Sequence, residues 1–350
     1  MRSIIFSMLL AANVALAPAP AEAQQSQTDE AITATLSALL QADGKRAREL
    51  LAGIPADGLD PKDVKFRECV LARLDGPTLA QALVSPTTGQ PDAFAGEVLG
   101  LYREYWRRSV MAPDQREAEL EKLRGQLGRL LGSDTLDLEM LLEQTKARLE
   151  ASGFHLINGQ TGRLQDLIVW SKEDAKIESV TLPEGTVQTH VFYLNDFQSQ
   201  GWSSYLSCER TGTGGWATRD GLYVIVPSYE SLTDENFTVS FLGHESQHFG
   251  DYERFPDLLG WQLEYRAKLA ELALANANRD RLLAKFAGNQ GDDPEDAHSY
   301  ANRRVLLTLR EHLGLGPQAD LSTVPVDQFK QAAVAALRDD SAQRSGKPGK

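Results

Sequence analysis

An α+β fold that is mostly helical follows from three features of the chain. Apolar residues recur at helical spacing from Gln24 to about Gly153, short β-prone runs fill the middle, and helical periodicity returns from Thr233 onward. The expected organisation is a leader over 1–23, a helical N-terminal region over 24–152, a domain with a small β-sheet over 153–338, and a disordered tail over 339–350.

The leader rests on Arg2 as a positive start, an apolar run from Ile4 to Leu16, and Ala21-Glu22-Ala23 as the A-x-A pattern cut by a signal peptidase. A membrane anchor is the competing reading, but the run is too short to span a bilayer comfortably. No Cys follows it, which argues against a lipoprotein, and no later segment is apolar enough to cross a membrane. Export to the periplasm or the medium is therefore expected. The net charge of −13 survives cleavage, because Arg2 and Glu22 cancel. A chain with pI near 5.0 has no basic footprint for nucleic acid or anionic lipid. Cys69 and Cys208 either pair in an oxidising compartment or stand as separate buried thiols.

Ala31, Leu36, Leu39 and Leu40 make the first apolar face, Ala47, Leu50 and Leu51 a second, and Val64, Val70, Leu71 and Leu74 a third. Phe94 to Val110 is strongly helical; Pro113-Asp114 opens the next helix and Gly132-Ser133 closes it; Leu136 to Ala151 completes the region. Arg103, Arg107 and Arg108 read as a solvated helix face rather than a binding patch. After Gly153, Asn158-Gly159 and Thr161-Gly162 signal turns. Strands are expected at 167–170, 180–182, 187–194 and 222–226, with Pro183-Glu184-Gly185 as a turn. Helices follow at 234–249, 258–286 and 297–313.

The chemistry lies in the first of these late helices. His244 and His248 are four apart, one turn on the same face, so two imidazole nitrogens can share one ion. Glu245 sits beside them, able to take a proton from an ion-activated water and pass it to a departing amine. The plain alternative is a helix with two ordinary histidines. A catalytic zinc needs a third protein ligand and an open position. No further His follows in the H-x-x-G-x-x-H frame, whereas Glu264 and Glu271 lie on nearly one face of the next helix. Glu271 reads more readily as a solvated carboxylate, and Asp251 and Glu253 are weaker candidates.

His244-Glu245-x-x-His248, with Glu264 followed by Ala267, resembles the gluzincin group of zincin-like metallopeptidases. The resemblance is specific from Phe241 to Glu271. It implies a zincin-like catalytic domain, zinc on His244, His248 and Glu264, Glu245 as general base, and a peptide or protein substrate. Many gluzincins carry an Asp four residues after the ligand Glu to orient a zinc His; Lys268 stands there, so that support must come from elsewhere. In zincins an exposed strand pairs with the substrate backbone; Gly214-Gly215-Trp216-Ala217 is the counterpart, or else a Gly-rich turn with a buried Trp. His298, Tyr300 and Tyr252 are open candidates for an oxyanion donor, while His155, His190 and His312 have no motif around them. Peptide deformylases also use HExxH with an upstream Cys, but Leu206-Ser207-Cys208-Glu209-Arg210 does not match their context. The alternative to peptide-bond hydrolysis is a non-catalytic exported binding protein that keeps a zincin-like fold.

Overall fold

Asp side chains start most of the N-terminal helices. The computed structural model describes residues 21–54, 59–77 and 81–346, with side chains from Thr28, so most of the expected leader lies outside the described residues. α1 (Ala21–Leu40), α2 (Gly44–Ala52), α3 (Pro61–Asp75), α4 (Ala93–Met111), α5 (Arg116–Leu131) and α6 (Leu138–Ala151) form the helical half. Asp43, Asp60, Asp92 and Asp137 accept first-turn backbone N–H bonds in α2, α3, α4 and α6. A short unexpected ladder, β1 (Leu83–Val84) with β2 (Pro91–Asp92), precedes α4.

The change of character near residue 153 is not a packing boundary. Leu39, Leu51, Val70, Val98, Trp106 and Leu127 share one core with Leu156, Leu164, Leu167, Val169 and Trp202 beyond it. Trp106 Nε1 donates to the Gln165 carbonyl at 2.9 Å, and the Gln165 N–H donates to Tyr105 Oη at 3.1 Å. Cys69 of α3 is disulfide-bonded to Cys208, just past α7 (Gly201–Leu206). The two halves are thus joined by shared core, hydrogen bonds and a covalent bridge.

Five strands make the main sheet: β3 (His155–Thr161), β4 (Leu164–Leu182), β5 (Gly185–Gln200), β6 (Gly215–Thr218) and β7 (Gly221–Ile225). Their order is β3-β4-β5-β7-β6, antiparallel except for the β5–β7 pair. Asn158-Gly159, expected to turn, lies inside β3 opposite Leu167 and Asp166; the turn falls at Gly162, whose φ is +56°. The runs at 167–170 and 180–182 are two ends of one long strand. Its charged middle is mostly exposed and gains its order from pairing with β5 across Pro183-Glu184. On one sheet face Val191, Tyr193, Leu222 and Val224 meet Phe237 and Phe241; on the other, Trp170, Phe192, Trp216 and Tyr223 form an aromatic ladder.

The late helices differ from expectation in three places. α8 (Glu235–Phe237) continues through a π-helical turn over Thr238–Gly243 into α9 (His244–Arg254). The single helix expected over 258–286 is instead α10 (Gly260–Leu274) and α11 (Arg279–Gly288). The break has a cause: the Glu235 carboxylate accepts the backbone N–H groups of Asn276 and Asn278, each at 3.0 Å. α12 (Ala297–His312) follows as expected. Of the tail expected to be disordered over 339–350, residues 339–345 are instead the end of α13 (Val326–Ser345), and 347–350 lie outside the described residues. Phe329, Ala333, Ala336 and Leu337 bury against the core of the late helices, and Asp340 pairs with Arg344 one turn on. No helix among the described residues is long and apolar enough to cross a membrane.

A buried ion network ties these elements together. Arg266 of α10 has a side chain 0% exposed and takes both oxygens of the equally buried Asp251 at 2.9 Å. It also reaches Glu184 in the β4–β5 turn at 2.9 Å and Asp340 of α13 at 2.7 Å. Burial alone would lower the Arg266 pKa, but the Asp251 and Asp340 carboxylates raise it above the usual value and keep it charged. Arg266→Met would leave Asp251 buried without its cation, so unfolding free energy should fall by about 3–5 kcal/mol in urea denaturation. A loss under about 1 kcal/mol would mean that the network is solvated and dispensable.

Candidate metal centre

α9 is fixed on the sheet before it presents any chemistry. Ser246 Oγ bonds Thr189 Oγ1 of β5 at 3.0 Å, and Asp251 anchors the far end through Arg266. The π-helical turn ends where His244 begins, which sets the angle at which the motif leaves the core. His244 and His248 then stand one turn apart with ring centroids 5.0 Å apart and planes at 82°.

Their Nε2 atoms converge on one carboxylate. Glu264 Oε2 lies 3.7 Å from His244 Nε2, and Oε1 lies 3.5 Å from His248 Nε2. One ligand atom from each of the three residues falls within 4.8 Å of the others. Two donors at about 2.0–2.1 Å from a shared tetrahedral ion are roughly 3.3–3.4 Å apart. The two histidine–Glu264 separations are a few tenths of an ångström wider, within side-chain adjustment. Two imidazoles and a carboxylate therefore form a group able to hold a metal ion, and Ala267, the small residue in the motif, is fully buried.

The neighbours give the site its polarity. Lys268 Nζ lies 2.6 Å from Glu264 Oε2, and His298 Nδ1 lies 2.8 Å from the same oxygen. Burial alone would raise the Glu264 pKa. Bonds from His248 and His298, with the charge of Lys268, instead hold it far below the usual carboxylate range. Glu264 is thus ready as an anion at any physiological pH. Among the described residues, His248 Nδ1 is buried and has no hydrogen-bond partner, so its ring is oriented by packing.

Glu271 is not the solvated carboxylate expected from helical pattern. Its side chain is 5% exposed, and Oε2 lies 3.3 Å from His244 Nδ1. An Nδ1–H donated to Glu271 leaves the Nε2 lone pair facing Glu264. Such a bond would supply, from seven residues beyond Glu264 rather than four, the support that Lys268 cannot give. Glu271→Ala should weaken metal affinity by about 10–100-fold, measured by chelator competition. Unchanged affinity would show that packing alone fixes the His244 ring.

The other expected residues separate. Asp251 belongs to Arg266, Glu253 is exposed, and Tyr252 is 56% exposed. Tyr300 packs edge-on against Trp261, so of the three donor candidates His298 alone touches the cluster. His155 stacks on Trp170, His190 is exposed, and His312 faces Asp339 at 3.9 Å. Among the described residues β6 is an edge strand, paired only with β7. Gly215 there has φ +155°, and a Cβ would meet the Tyr223 carbonyl oxygen at 2.1 Å, so only glycine fits. Trp216 is partly exposed on the aromatic ladder rather than buried in a turn.

Sequence reasoning missed Tyr229, which follows a short turn after β7. Its hydroxyl fills the space where a Gly214 side chain would stand, 2.2 Å from that ideal Cβ. Burial, then the charge of Glu245, raises its pKa, so the phenol stays a donor between the motif helix and the start of β6. A tyrosine after a strand-ending Pro-Ser pair carries no signal of its own. No known protein family, curated protein or solved structure matches this chain.

Proposed function

We propose that the protein is an exported zinc-dependent hydrolase of peptide bonds. The observation that carries the reading is the convergence of one ligand atom each from His244, His248 and Glu264 within 4.8 Å, the two histidines standing on the helix that also bears Glu245 and Glu264 on the next. Two imidazoles and one carboxylate are a donor set that zinc accepts while keeping a position open. When bound there, zinc would supply Lewis acidity and a lowered water pKa. Glu245 takes the proton of the attacking water and returns it to the leaving amine. The free edge of β6 offers backbone N–H and C=O groups to an extended peptide. Tyr229 and His298 are donors toward the charge that develops on the carbonyl oxygen. Export is supported by Arg2, the Ile4–Leu16 run and Ala21-Glu22-Ala23, and by the Cys69–Cys208 disulfide, a bond that persists in oxidising compartments.

Chelation should abolish casein or peptide hydrolysis by the purified protein, and one equivalent of zinc should restore it. Hydrolysis that persists after complete metal removal would refute the reading. One observation favours a second reading. Lys268 Nζ, 2.6 Å from Glu264 Oε2, already neutralises that carboxylate, which suits a metal-free exported binding protein without turnover. Zinc stoichiometry separates the two.

A further inference from the structure

We propose that a cavity where α3, α4, α7 and the end of β5 meet is a binding site for a small oxyanion, gripped by Arg73 and Arg103. The cavity has a volume of about 140 Å³, several times the roughly 30 Å³ share of one water. It lies at the opposite end of β5 from Thr189, where α9 docks, and is separate from the metal centre.

The site is built from donors in search of an acceptor. The Arg73 and Arg103 guanidinium carbons lie 4.4 and 5.1 Å from the centroid of the Tyr205 ring, so two like charges are held against one aromatic side chain. Arg73 is engaged: it donates to the Tyr205 carbonyl and, at 3.1 Å, to Glu209, whose side chain is 61% exposed. Arg103 is not. Among the described residues it forms no ion pair, its hydrogen bond to the Gln198 carbonyl is 3.5 Å long, and its buried Nε has no acceptor. This contrasts with its neighbours on α4, since Arg107 and Arg108 both pair with Glu104. The three arginines that looked alike in sequence therefore divide, two to a surface ion pair and one to the cavity.

A half-buried guanidinium with no carboxylate in ion-pair contact is costly in a chain of net charge −13, where acidic partners are plentiful. Burial, with Arg73 nearby, also lowers the Arg103 pKa, the shift an anion in the cavity would oppose. Ser204 and Tyr205 also line the cavity, whereas the Ser199 hydroxyl, likewise in its wall, is committed to the Leu167 carbonyl at 2.8 Å. Two guanidiniums against Glu209 leave one net positive charge, which a carboxylate or a phosphate monoester of cavity size would neutralise. Arginine forks suit either group.

The test is calorimetric titration of the full-length protein with sodium acetate and, separately, with inorganic phosphate, at constant ionic strength made up with chloride. Saturable binding of one or both is expected, and the tighter anion identifies the group as planar carboxylate or tetrahedral phosphate. Arg103→Gln should weaken binding about tenfold or more, the loss of a charge-assisted contact. Glu209→Gln should strengthen it several-fold, by freeing Arg73 from its competing carboxylate, an effect that a purely structural role would not produce. Binding no different from chloride, or equal affinity in Arg103→Gln, overturns the proposal. Should Arg103→Gln not fold, the exposed Glu209→Gln decides alone: unchanged affinity there also overturns it.

Discussion

Glu245→Gln is expected to lower peptide hydrolysis by about 10²–10⁴-fold while the protein keeps one zinc per chain. The two halves of that result come from different atoms. In the proposed reading metal retention depends on His244, His248 and Glu264, whose donor atoms converge without Glu245. Turnover depends on a carboxylate that can hold a proton between water and leaving group, and an amide of the same shape cannot. Glu245 is half-buried on α9, and its charge is felt by Tyr229, so the substitution swaps one polar group for another without opening the core. Full activity in a zinc-loaded variant would remove the general-base assignment. Loss of zinc together with activity would instead make Glu245 part of the ion's support.

The second large effect concerns Glu264. Structural zinc sites bind with about 10–16 kcal/mol over their ligands. One ligand is then worth about 3–4 kcal/mol, or roughly 10²–10³-fold in affinity. Glu264→Gln should therefore weaken zinc retention by that factor, more than the 10–100-fold expected for Glu271→Ala. The variant also leaves Lys268, whose side chain is 6% exposed, without its carboxylate at 2.6 Å. Glu264→Gln/Lys268→Met removes that unpaired charge, so zinc loss in the double variant with an unchanged melting temperature assigns the effect to the ligand. Zinc retained at wild-type affinity in both variants, but lost in Glu271→Ala, would transfer the ligand role to Glu271.

Much of this arrangement was legible in the residues. Apolar spacing located the N-terminal helices, and HExxH with a carboxylate on the following helix selected the three residues that meet. The preference for Glu264 followed from the Ala267 motif. What escaped the sequence shares one physical origin: partners distant in the chain. The middle of β4 is polar on both faces and has no strand-like alternation, because pairing with β5 rather than burial orders it. The end of α13 looked like a charged tail because its reason for folding, Arg266, lies on α10. Helix spacing alone gave Glu271 a solvent face, yet His244 buries it. The Cys69–Cys208 bond and the division of Arg103 from Arg107 and Arg108 likewise depend on α7 and the end of β5 meeting α3 and α4.

The most direct measurement is X-ray absorption at the zinc edge on protein stripped of metal and reloaded with one equivalent. Retention of a single zinc with two imidazole nitrogens and a carboxylate oxygen at about 2.0–2.2 Å is predicted, with the imidazole signal reduced in His248→Ala. A protein that takes up no zinc, or one whose zinc spectrum is the same after His248→Ala, would contradict the account.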